Sequence, residues 1–323
     1  MRILVAGGAG FIGSHYVRSL LGGEYPGYDG ATVTVLDKLT YAGNLANLSP
    51  VADHPGYSFV QGDIVDGALL ADLVPGHDAI VNFAAETHVD RSIDGGADFV
   101  NTNVLGTQQL LQAALDARTP TYVQVSTDEV YGTIPDGSWP EDHPLLPNSP
   151  YSAAKAGSDL LCRAYHRTHG MDIRVTRCSN NYGPYQYPEK VIPLFVTNLF
   201  EGAKVPLYGD GLNVRDWLHV DDHCRGIQLV LEKGAPGEIY NIGGGTELTN
   251  KELTERLLEA CGATWNSVEY VTDRKGHDRR YSVDITKIRG LGYEPRIDFA
   301  SGLADVVQWY RDNEDWWRPL KKS

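Results

Sequence analysis

Two stretches of this sequence carry side chains that could move protons. Asp128 and Glu129 are adjacent, and Tyr151 is followed four residues later by Lys155. Two adjacent carboxyl groups can divide the roles of acid and base, because like charges at one site push their pKa values apart. Residues i and i+4 are neighbours on a helix, so the Lys155 ammonium is expected to favour the Tyr151 phenolate and lower its pKa. The chain therefore offers two acid–base systems.

Neither pattern is specific when it is taken alone. Tyr-x-x-x-Lys arises by chance in a chain with 18 tyrosines, and an Asp-Glu pair after a strand is more often a solvated turn. The flanking sequence favours the functional interpretation. A predicted strand, TYVQVS, delivers Thr127, Asp128 and Glu129 to its carboxyl end, where ligands bind in open α/β sheets. Tyr151 and Lys155 lie in a predicted helix that starts near Pro150.

A glycine-rich turn near Met1 predicts a phosphate-binding site. RILVA at residues 2–6 is a predicted strand, and an apolar-periodic run after the turn is a predicted helix. Between them, Gly8-x-Gly10-x-x-Gly13 matches the dinucleotide fingerprint, and Gly7-x-x-Gly10-x-x-Gly13 is also present. Glycines allow a tight turn close to a pyrophosphate, which the helix N-terminus then faces. A lone GxGxxG is weak, but this one has the strand and the helix that it requires.

The next strands indicate which dinucleotide would bind. ATVTVLD ends in Asp37, whose carboxylate can bind both ribose hydroxyls and would repel a 2′-phosphate. This favours NAD over NADP, although the neighbouring Lys38 weakens the inference slightly. YSFVQG leads to Asp63, which suits the adenine edge. The fourth predicted strand, DAIVNFAAET, brings Ala84, Ala85, Glu86 and Thr87 to the same edge of the sheet.

The order of elements predicts an α/β fold, a Rossmann-type doubly wound parallel sheet with a smaller C-terminal substrate-binding lobe. Strands alternate with helices, including a long helical pattern at 97–117 and a sixth strand from Ile173. We expect an NAD-binding domain at 1–179, with a returning segment near 218–243, and the lobe mainly at 180–323. In the lobe we predict a helix at 191–202, a loop with short strands at 204–222, a helix opened by the Thr249-x-x-Glu252 capping box, and a helix at 301–317.

Composition excludes several classes of partner. A net charge of −14 argues against nucleic acid and anionic membranes. No apolar run reaches membrane-spanning length, and Met1 leads directly into a strand, which leaves no room for a signal peptide. Four widely spaced cysteines without a CxxC pattern suggest reduced thiols. We therefore expect a cytoplasmic protein.

Together, these motifs resemble the extended short-chain dehydrogenase/reductase superfamily over the whole chain. Within it, the stretches DKLTYAGN (37–44), AAETHVDRS (84–92), STDEVYG (126–132) and RKGHDRRY (274–281) look like those of the dTDP-glucose 4,6-dehydratases. The Asp-Glu pair is the discriminating feature, because related 4-epimerases lack it and the decarboxylases typically keep only the Glu. Thr87 stands where Ser is usual and Lys275 where Pro is usual.

The resemblance implies a hydro-lyase that converts dTDP-glucose to dTDP-4-keto-6-deoxyglucose with NAD. Oxidation at C4 makes the C5 proton acidic, water is lost from C5 and C6, and the hydrogen taken from C4 returns to C6. The implied base at C4 is Tyr151, with Lys155 supporting its phenolate and Thr127 bonded to the C4 oxygen. Glu129 is the implied base at C5 and Asp128 the implied acid at C6.

The same resemblance implies two sets of contacts and no metal ligand. NAD would contact Gly7, Gly10, Phe11, Ile12, Gly13, Asp37, Lys38, Thr40, Gly43, Asp63, Ile64, Ala84, Ala85, Thr102, Ser126, Tyr151, Lys155 and Asn181. The substrate would contact Thr87, Thr127, Asn180, Lys190, Val191, Pro206, Tyr208, Arg215, Asn250, Arg274, His277 and Tyr281. Arg215 and Arg274 would meet the diphosphate, for which a planar guanidinium is suited. Without the resemblance, the basic run at 273–280 would be taken as a solvated loop.

A homodimer is expected, because the helical stretches at 103–117 and 151–169 are apolar on more than one face. The resembling family pairs these helices across a two-fold axis. Two other functions stay open: a nucleotide-sugar 4-epimerase or decarboxylase of the same superfamily, and a non-catalytic NAD-binding regulator. The intact Thr127, Tyr151 and Lys155 argue against the regulator. The choice of dTDP over UDP and the pathway that uses the product also stay open.

Overall fold

A parallel seven-stranded sheet lies at the centre of the computed structural model, which describes residues 1–322. Within that range the strands are β1 (Arg2–Ala6), β2 (Thr32–Asp37), β3 (Tyr57–Gln61), β4 (Ala79–Asn82), β5 (Thr121–Thr127), β6 (Ile173–Cys178), β7 (Asn180–Tyr182), β8 (Val205–Tyr208), β9 (Val214–His219), β10 (Ile239–Ile242), β11 (Glu247–Thr249) and β12 (Val268–Val271). The order in the large sheet is β3-β2-β1-β4-β5-β6-β10. The predicted doubly wound α/β fold is confirmed.

The helices that cover this sheet and the second lobe follow the strands along the chain. They are α1 (Phe11–Leu21), α2 (Gly67–Leu73), α3 (Val89–Asp94), α4 (Ala97–Phe99), α5 (Thr107–Ala117), α6 (Pro150–His169), α7 (Val191–Phe200), α8 (Val220–Lys233), α9 (Asn250–Cys261), α10 (Thr286–Arg289), α11 (Phe299–Asp312) and α12 (Glu314–Trp317). Short 3-10 segments lie at Leu45–Val51, Asp128–Tyr131, Trp265–Ser267 and Pro319–Lys322. No helix of the described residues is long and apolar enough to cross a bilayer.

The strand predicted at 78–87 is shorter than expected. β4 ends at Asn82, because side-chain amides replace the ladder bonds of the residues that follow. The Ala84 backbone amide donates to Asn82 Oδ1, and the Glu86 amide donates to the buried Asn103 Oδ1. Asn103 lies in a π-helical segment at Val100–Gly106 that divides the helix predicted at 97–117 into α4 and α5. Neither side-chain bond leaves a periodic signal in the sequence, and the one from Glu86 to Asn103 spans 17 residues.

Two helix boundaries also differ from expectation. Residues 204–222 were predicted as a loop with short strands, but α8 begins at Val220 directly after β9. Its N-cap is His219, whose Nδ1 accepts from the Asp221 amide, and histidine is not among the usual N-cap residues. The helix predicted at 301–317 is α11 and α12, separated at Asn313. The capping box predicted at Thr249 is confirmed.

The chain crosses between two apolar cores more than once. One core packs against the large sheet, and another contains Phe195, Trp217, Tyr310 and Trp317. Two small sheets, β7-β9-β11 and β8-β12, lie outside the large one. β10 pairs with β6, so the chain returns to the large sheet after β9. The division into domains near residue 180 stays a prediction.

Candidate active site

A first cleft follows the carboxyl edge of β1, β2, β4 and β5. The glycine turn after β1 lines this cleft, and its backbone is closely packed. Gly7 has φ +76°, and a Cβ there would lie 2.5 Å from the Ala84 amide nitrogen. A Cβ on Gly13 would lie 2.3 Å from the Gly7 carbonyl oxygen. Both positions therefore require glycine. Within the described chain no side chain caps α1 at Gly10, so its first amides are left for a ligand.

Asp37 is positioned by the backbone around it. Its Oδ2 accepts from the Ala9 amide at 2.9 Å and its Oδ1 from the Leu39 amide at 2.8 Å. Burial raises the pKa of Asp37, and these two amides oppose the rise. Each oxygen keeps a lone pair that a ribose hydroxyl could use. Lys38, which weakened the preference for NAD, forms an ion pair with Asp63 at 2.6 Å.

Every residue implied for NAD lines this first cleft. Besides the glycine turn, Asp37, Lys38 and Asp63, the structure brings together Thr40, Gly43, Ile64, Ala84, Ala85, Thr102, Ser126, Tyr151, Lys155 and Asn181. The glycine turn, the exposed helix amides and the Asp37 carboxylate fit a dinucleotide, because each meets a different chemical group of it. Their individual roles stay predictions.

A second cleft continues from the first, and the two meet at Thr87, Glu129, Asn180 and Lys190. β8 contributes Pro206 and Tyr208, β9 contributes Arg215, and α9 contributes Asn250. The remaining implied substrate residues on its lining are Val191, Arg274, His277 and Tyr281. All the implied substrate residues except Thr127 therefore line the second cleft, and Thr127 lies on the first cleft, where NAD is expected.

The Asp128–Glu129 pair sits on a single 3-10 turn at the end of β5. Thr127 begins this turn: its Oγ1 accepts from the Glu129 amide at 3.2 Å and donates to Asp128 Oδ1 at 3.3 Å. Asp128 is 2% exposed, and its Oδ2 has no hydrogen-bond partner among residues 1–322. This is not the solvated turn that such a pair usually forms.

The two carboxyl groups differ in their electrostatic surroundings. Burial, followed by the Glu129 charge, raises the pKa of Asp128 well above its usual value. Burial also raises the pKa of Glu129, but Arg274, Arg215 and Lys190 oppose that rise. When the pair holds one proton, that proton is therefore expected on Asp128, and Glu129 is expected to be ionised.

Tyr151 and Lys155 lie near the start of α6, where a Ser149–Ser152 capping box fixes the first turn. The pKa of Tyr151 differs from expectation. Burial and then the Glu129 charge raise it well above its usual value, while the Thr127 hydroxyl opposes the rise. Lys155 Nζ reaches back to β5 and donates to the Val125 carbonyl at 2.6 Å. The i, i+4 spacing places these residues on one face but does not fix where the ammonium points.

The cations of the second cleft are held by protein oxygens. Arg215 donates to the Val214 and Asp278 carbonyls at 2.7 and 2.9 Å. Lys190 Nζ donates to the Thr87 carbonyl at 2.9 Å. Arg274 is held more loosely, with its Nη1 3.8 Å from Asp90 Oδ1 and its Nε without a partner in the described part of the chain.

The basic run at 273–280 divides into two parts. Arg274 and His277 line the second cleft. Arg279 and Arg280 instead form ion pairs with Asp210 at 2.9 Å and Glu247 at 2.7 Å. Arg274 and His277 are therefore available to a ligand, and this role stays a prediction, whereas Arg279 and Arg280 are held in ion pairs away from both clefts.

Two acidic residues at the clefts were not in the predicted site. Glu189 lines both clefts, and its Oε1 accepts from the Tyr41 hydroxyl at 3.0 Å. Asp90 lines the second cleft, and its Oδ2 accepts from the Tyr208 hydroxyl at 3.4 Å. Asp90 lies inside the quoted AAETHVDRS stretch and Glu189 is adjacent to Lys190, so proximity to implied residues was the available signal.

The fold and the two joined clefts define a short-chain dehydrogenase/reductase of the nucleotide-sugar type. The chain belongs to the GDP-mannose 4,6 dehydratase family, whose model matches residues 4–306. It is 64% identical over 322 residues to a dTDP-glucose 4,6-dehydratase of Streptomyces niveus, covering 99% of this chain and 96% of that protein.

Two solved structures share this fold, one at high and one at low sequence identity. DesIV, a dTDP-glucose 4,6-dehydratase from Streptomyces venezuelae solved with NAD, superposes with a TM-score of 0.98 at 65% identity, covering 99% of this chain and 100% of that one. A UDP-glucuronic acid 4-epimerase from Bacillus cereus, solved with UDP-glucuronic acid and NAD, has a TM-score of 0.90 at 28% identity, covering 97% and 99% of the two chains. The epimerase is thus the more distant of these two relatives.

Proposed function

We propose that this protein is an NAD-dependent dTDP-glucose 4,6-dehydratase. The observation that carries the proposal is the Asp128–Glu129 pair, in which burial raises the pKa of Asp128 well above its usual value, whereas Arg274, Arg215 and Lys190 oppose the rise at Glu129, which lies where the two clefts meet. Such a pair supplies an acid and a base next to each other, which the loss of water requires and a simple 4-epimerisation does not. Identity of 64% to a named dTDP-glucose 4,6-dehydratase supports the same choice.

Tyr151 and Thr127 act at C4 of the sugar. Tyr151 takes the proton of the C4 hydroxyl, and Thr127, whose hydroxyl also interacts with Tyr151, holds the C4 oxygen. NAD, which the first cleft would hold, would supply the acceptor for the C4 hydrogen and the source of the hydrogen that C6 receives. Because burial raises the Tyr151 pKa, a positive charge is needed to favour the phenolate, and we assign that role to the Lys155 ammonium, which lies on the same helix face.

Glu129 and Asp128 then carry out the elimination. Glu129 takes the C5 proton, because Arg274, Arg215 and Lys190 favour its carboxylate. Asp128 keeps its proton in a buried site and gives it to the leaving C6 hydroxyl. The elimination is balanced: one proton leaves C5, one proton joins the hydroxyl, and water departs.

Mass spectrometry of the product tests this function. Incubation with dTDP-glucose should yield a sugar nucleotide that has lost one water. Deuterium placed at C4 should appear at C6 of that product. Deuterium retained at C4, or a product of unchanged mass, would instead support the 4-epimerase. Parallel incubations with UDP-glucose and GDP-glucose identify the preferred nucleotide.

Substitutions of the carboxyl pair should separate the steps. Asp128→Asn should still permit C4 oxidation and exchange of the C5 proton with deuterated water, but it should slow water loss by about 100-fold or more. Glu129→Gln should abolish the C5 exchange, and Tyr151→Phe should impair oxidation itself. Rapid C5 exchange in Glu129→Gln would show that another group is the base, and unchanged water loss in Asp128→Asn would exclude its role as acid.

We propose that the protein is a homodimer joined through α5, α6 and the π-helical segment between α4 and α5. Val100, Leu105 and Leu160 are 56%, 45% and 56% exposed on these packed elements. Sedimentation velocity at micromolar concentration should show a dimer, and Leu160→Glu should convert it to a monomer. Leu146→Glu is the matched control, because Leu146 is 60% exposed on a different segment. A monomeric parent protein would contradict the proposal.

We propose that the protein works in the cytoplasm. Cys162, Cys178, Cys224 and Cys261 are all free thiols, and three of them are buried, which suits a reducing compartment. Fractionation of the source cells, followed by detection of the protein, tests this. Recovery in an oxidising compartment with its thiols paired would contradict it.

A further inference from the structure

A buried polar network lies behind the turn that carries Asp128 and Glu129. Tyr131, the last residue of that turn, is 1% exposed, and its hydroxyl donates to Asn241 Oδ1 at 2.9 Å. The same hydroxyl accepts from Arg177 Nη1 at 2.8 Å, and Arg177 Nε donates to Asp159 Oδ2 at 2.9 Å. Within residues 1–322, none of these four side chains lines either cleft.

The network joins the catalytic turn to three elements. Asp159 lies on α6 one turn after Lys155, Arg177 lies on β6 and Asn241 lies on β10. Tyr131 is therefore the only one of the four that belongs to the turn itself. Behind the clefts, a chain of buried bonds from Asp159 through Arg177 to Tyr131 links the helix that carries Tyr151 to the turn that carries Glu129.

The turn needs such an anchor more than α6 does. Asp128–Tyr131 is one 3-10 turn, whose hydrogen-bond geometry is poorer than that of an α-helix. α6 has 20 residues, a capping box and a left-handed glycine at its end. At its other end the turn is held by Thr127, and Trp139 stacks on the Tyr131 ring with centroids 5.4 Å apart. Removal of the Tyr131 hydroxyl should therefore loosen the turn and leave α6 in place.

On the basis of the proposed function, we infer that Tyr131 is a positioning residue for the elimination. Its hydroxyl, held by Arg177 and Asn241, fixes Asp128 and Glu129 relative to the C5 and C6 atoms of a sugar that Tyr151 holds at C4. Proton transfer needs heavy atoms within hydrogen-bond reach, and a misplacement of about 1 Å can slow a reaction about 100-fold. Loss of the hydroxyl should therefore slow water loss while C4 oxidation continues.

Tyr131→Phe tests this inference, with Tyr122→Phe as the matched control. Tyr122 is equally buried, lies on β5, and donates its hydroxyl to Gln124 Oε1 at 3.0 Å, away from both clefts. Each variant therefore loses one buried hydroxyl. Single turnovers with dTDP-glucose are quenched and treated with borodeuteride, which labels at C4 any sugar that has been oxidised but has not lost water.

In Tyr131→Phe we expect kcat to fall about 10- to 100-fold with KM within about twofold, and the C4-labelled hexose, which borodeuteride forms from the 4-keto intermediate, to accumulate. Tyr122→Phe should resemble the parent in kcat and should accumulate none. Asn241→Ala, which removes the acceptor of the Tyr131 hydroxyl, should show a smaller accumulation. A general loss of stability would slow all steps together, so it would not produce the accumulated hexose.

The outcomes separate this inference from the proposed function. If the parent protein forms no dehydrated sugar, the proposed function fails. If the parent is active but neither Tyr131→Phe nor Asn241→Ala accumulates more labelled hexose than Tyr122→Phe, the positioning role is wrong. If Tyr131→Phe does not fold, Asn241→Ala alone decides between these results.

Discussion

The two clefts meet at Glu129 but are built from different parts of the chain. The first is shaped by backbone at the ends of parallel strands, with Gly7 and Gly13 packed against other main-chain atoms. The second is shaped by side chains from short strands and loops, with Arg215 and Lys190 held by carbonyl oxygens. A substitution that adds side-chain atoms should therefore disturb the first cleft most. A substitution that changes the hydrogen-bond geometry of a side chain should instead disturb the second cleft.

The largest expected effect comes from a methyl group in the glycine turn. Gly13→Ala would place a Cβ 2.3 Å from the Gly7 oxygen, so the backbone must move, which costs about 3 kcal/mol of unfolding free energy. Gly10→Ala is the control, because its Cβ would lie 3.4 Å from that same oxygen and its φ is −75°. Urea unfolding compares the two. Equal losses would show that the turn can relax and that its backbone packing is not decisive.

A smaller effect is expected at Asp37, where a side chain completes the first cleft. The parent protein should release NAD rather than NADP on denaturation. Asp37→Asn should weaken the charge-assisted bonds to the Ala9 and Leu39 amides and the bonds that we expect to the ribose, so NAD affinity should fall about 10- to 100-fold by calorimetry. The control is Asp66→Asn, whose carboxylate accepts from the Ala68 and Leu69 amides away from the first cleft. Mostly NADP in the parent, or equal effects of both substitutions, would contradict the assignment to Asp37.

In the second cleft, Arg215→Lys should raise KM for dTDP-glucose about tenfold and leave NAD affinity unchanged. A lysine keeps the charge but loses the planar fork that bonds both carbonyls and that would bond a diphosphate. Arg280→Lys is the control, because Arg280 pairs with Glu247 outside the cleft. Steady-state kinetics measure both variants. An unchanged KM in Arg215→Lys would show that other cations bind the diphosphate.

The same difference between the clefts explains what the sequence could predict. Gly7, Gly13 and Asp37 follow rules of local sequence, because strand, turn and helix succeed one another within one unit. Arg215 and His277 were reached only through the family resemblance, since loops bring them together over long separations. The Lys155 ammonium points towards the Val125 carbonyl. Asn103, in the π-helical segment, accepts from the Glu86 amide. Both contacts join residues that are far apart in the sequence, so no local pattern predicts them.

A pH-dependent effect on stability is expected at His277, on the second cleft. Burial, with Arg274 and Arg215, lowers the pKa of this imidazole to about 4, although Asp273 Oδ1 lies 2.6 Å from Nδ1 and opposes the shift. The folded protein thus keeps His277 neutral, while the unfolded chain takes up a proton below about pH 6.5. The stability that this histidine contributes is present above pH 6.5 and is lost as the pH falls towards 4.

His277→Gln should therefore make the folded protein less sensitive to acid. Between pH 7 and pH 5 the parent should lose about 2 kcal/mol more unfolding free energy than the variant. The reason is that His277 binds a proton in the unfolded chain over this pH range but stays neutral in the folded protein. His169→Gln is the control, since His169 is exposed at the end of α6. Urea unfolding at both pH values measures the difference. A loss in His277→Gln equal to that in the parent would show that His277 binds a proton equally well in the folded and unfolded states, and that Asp273 offsets burial and the two arginines.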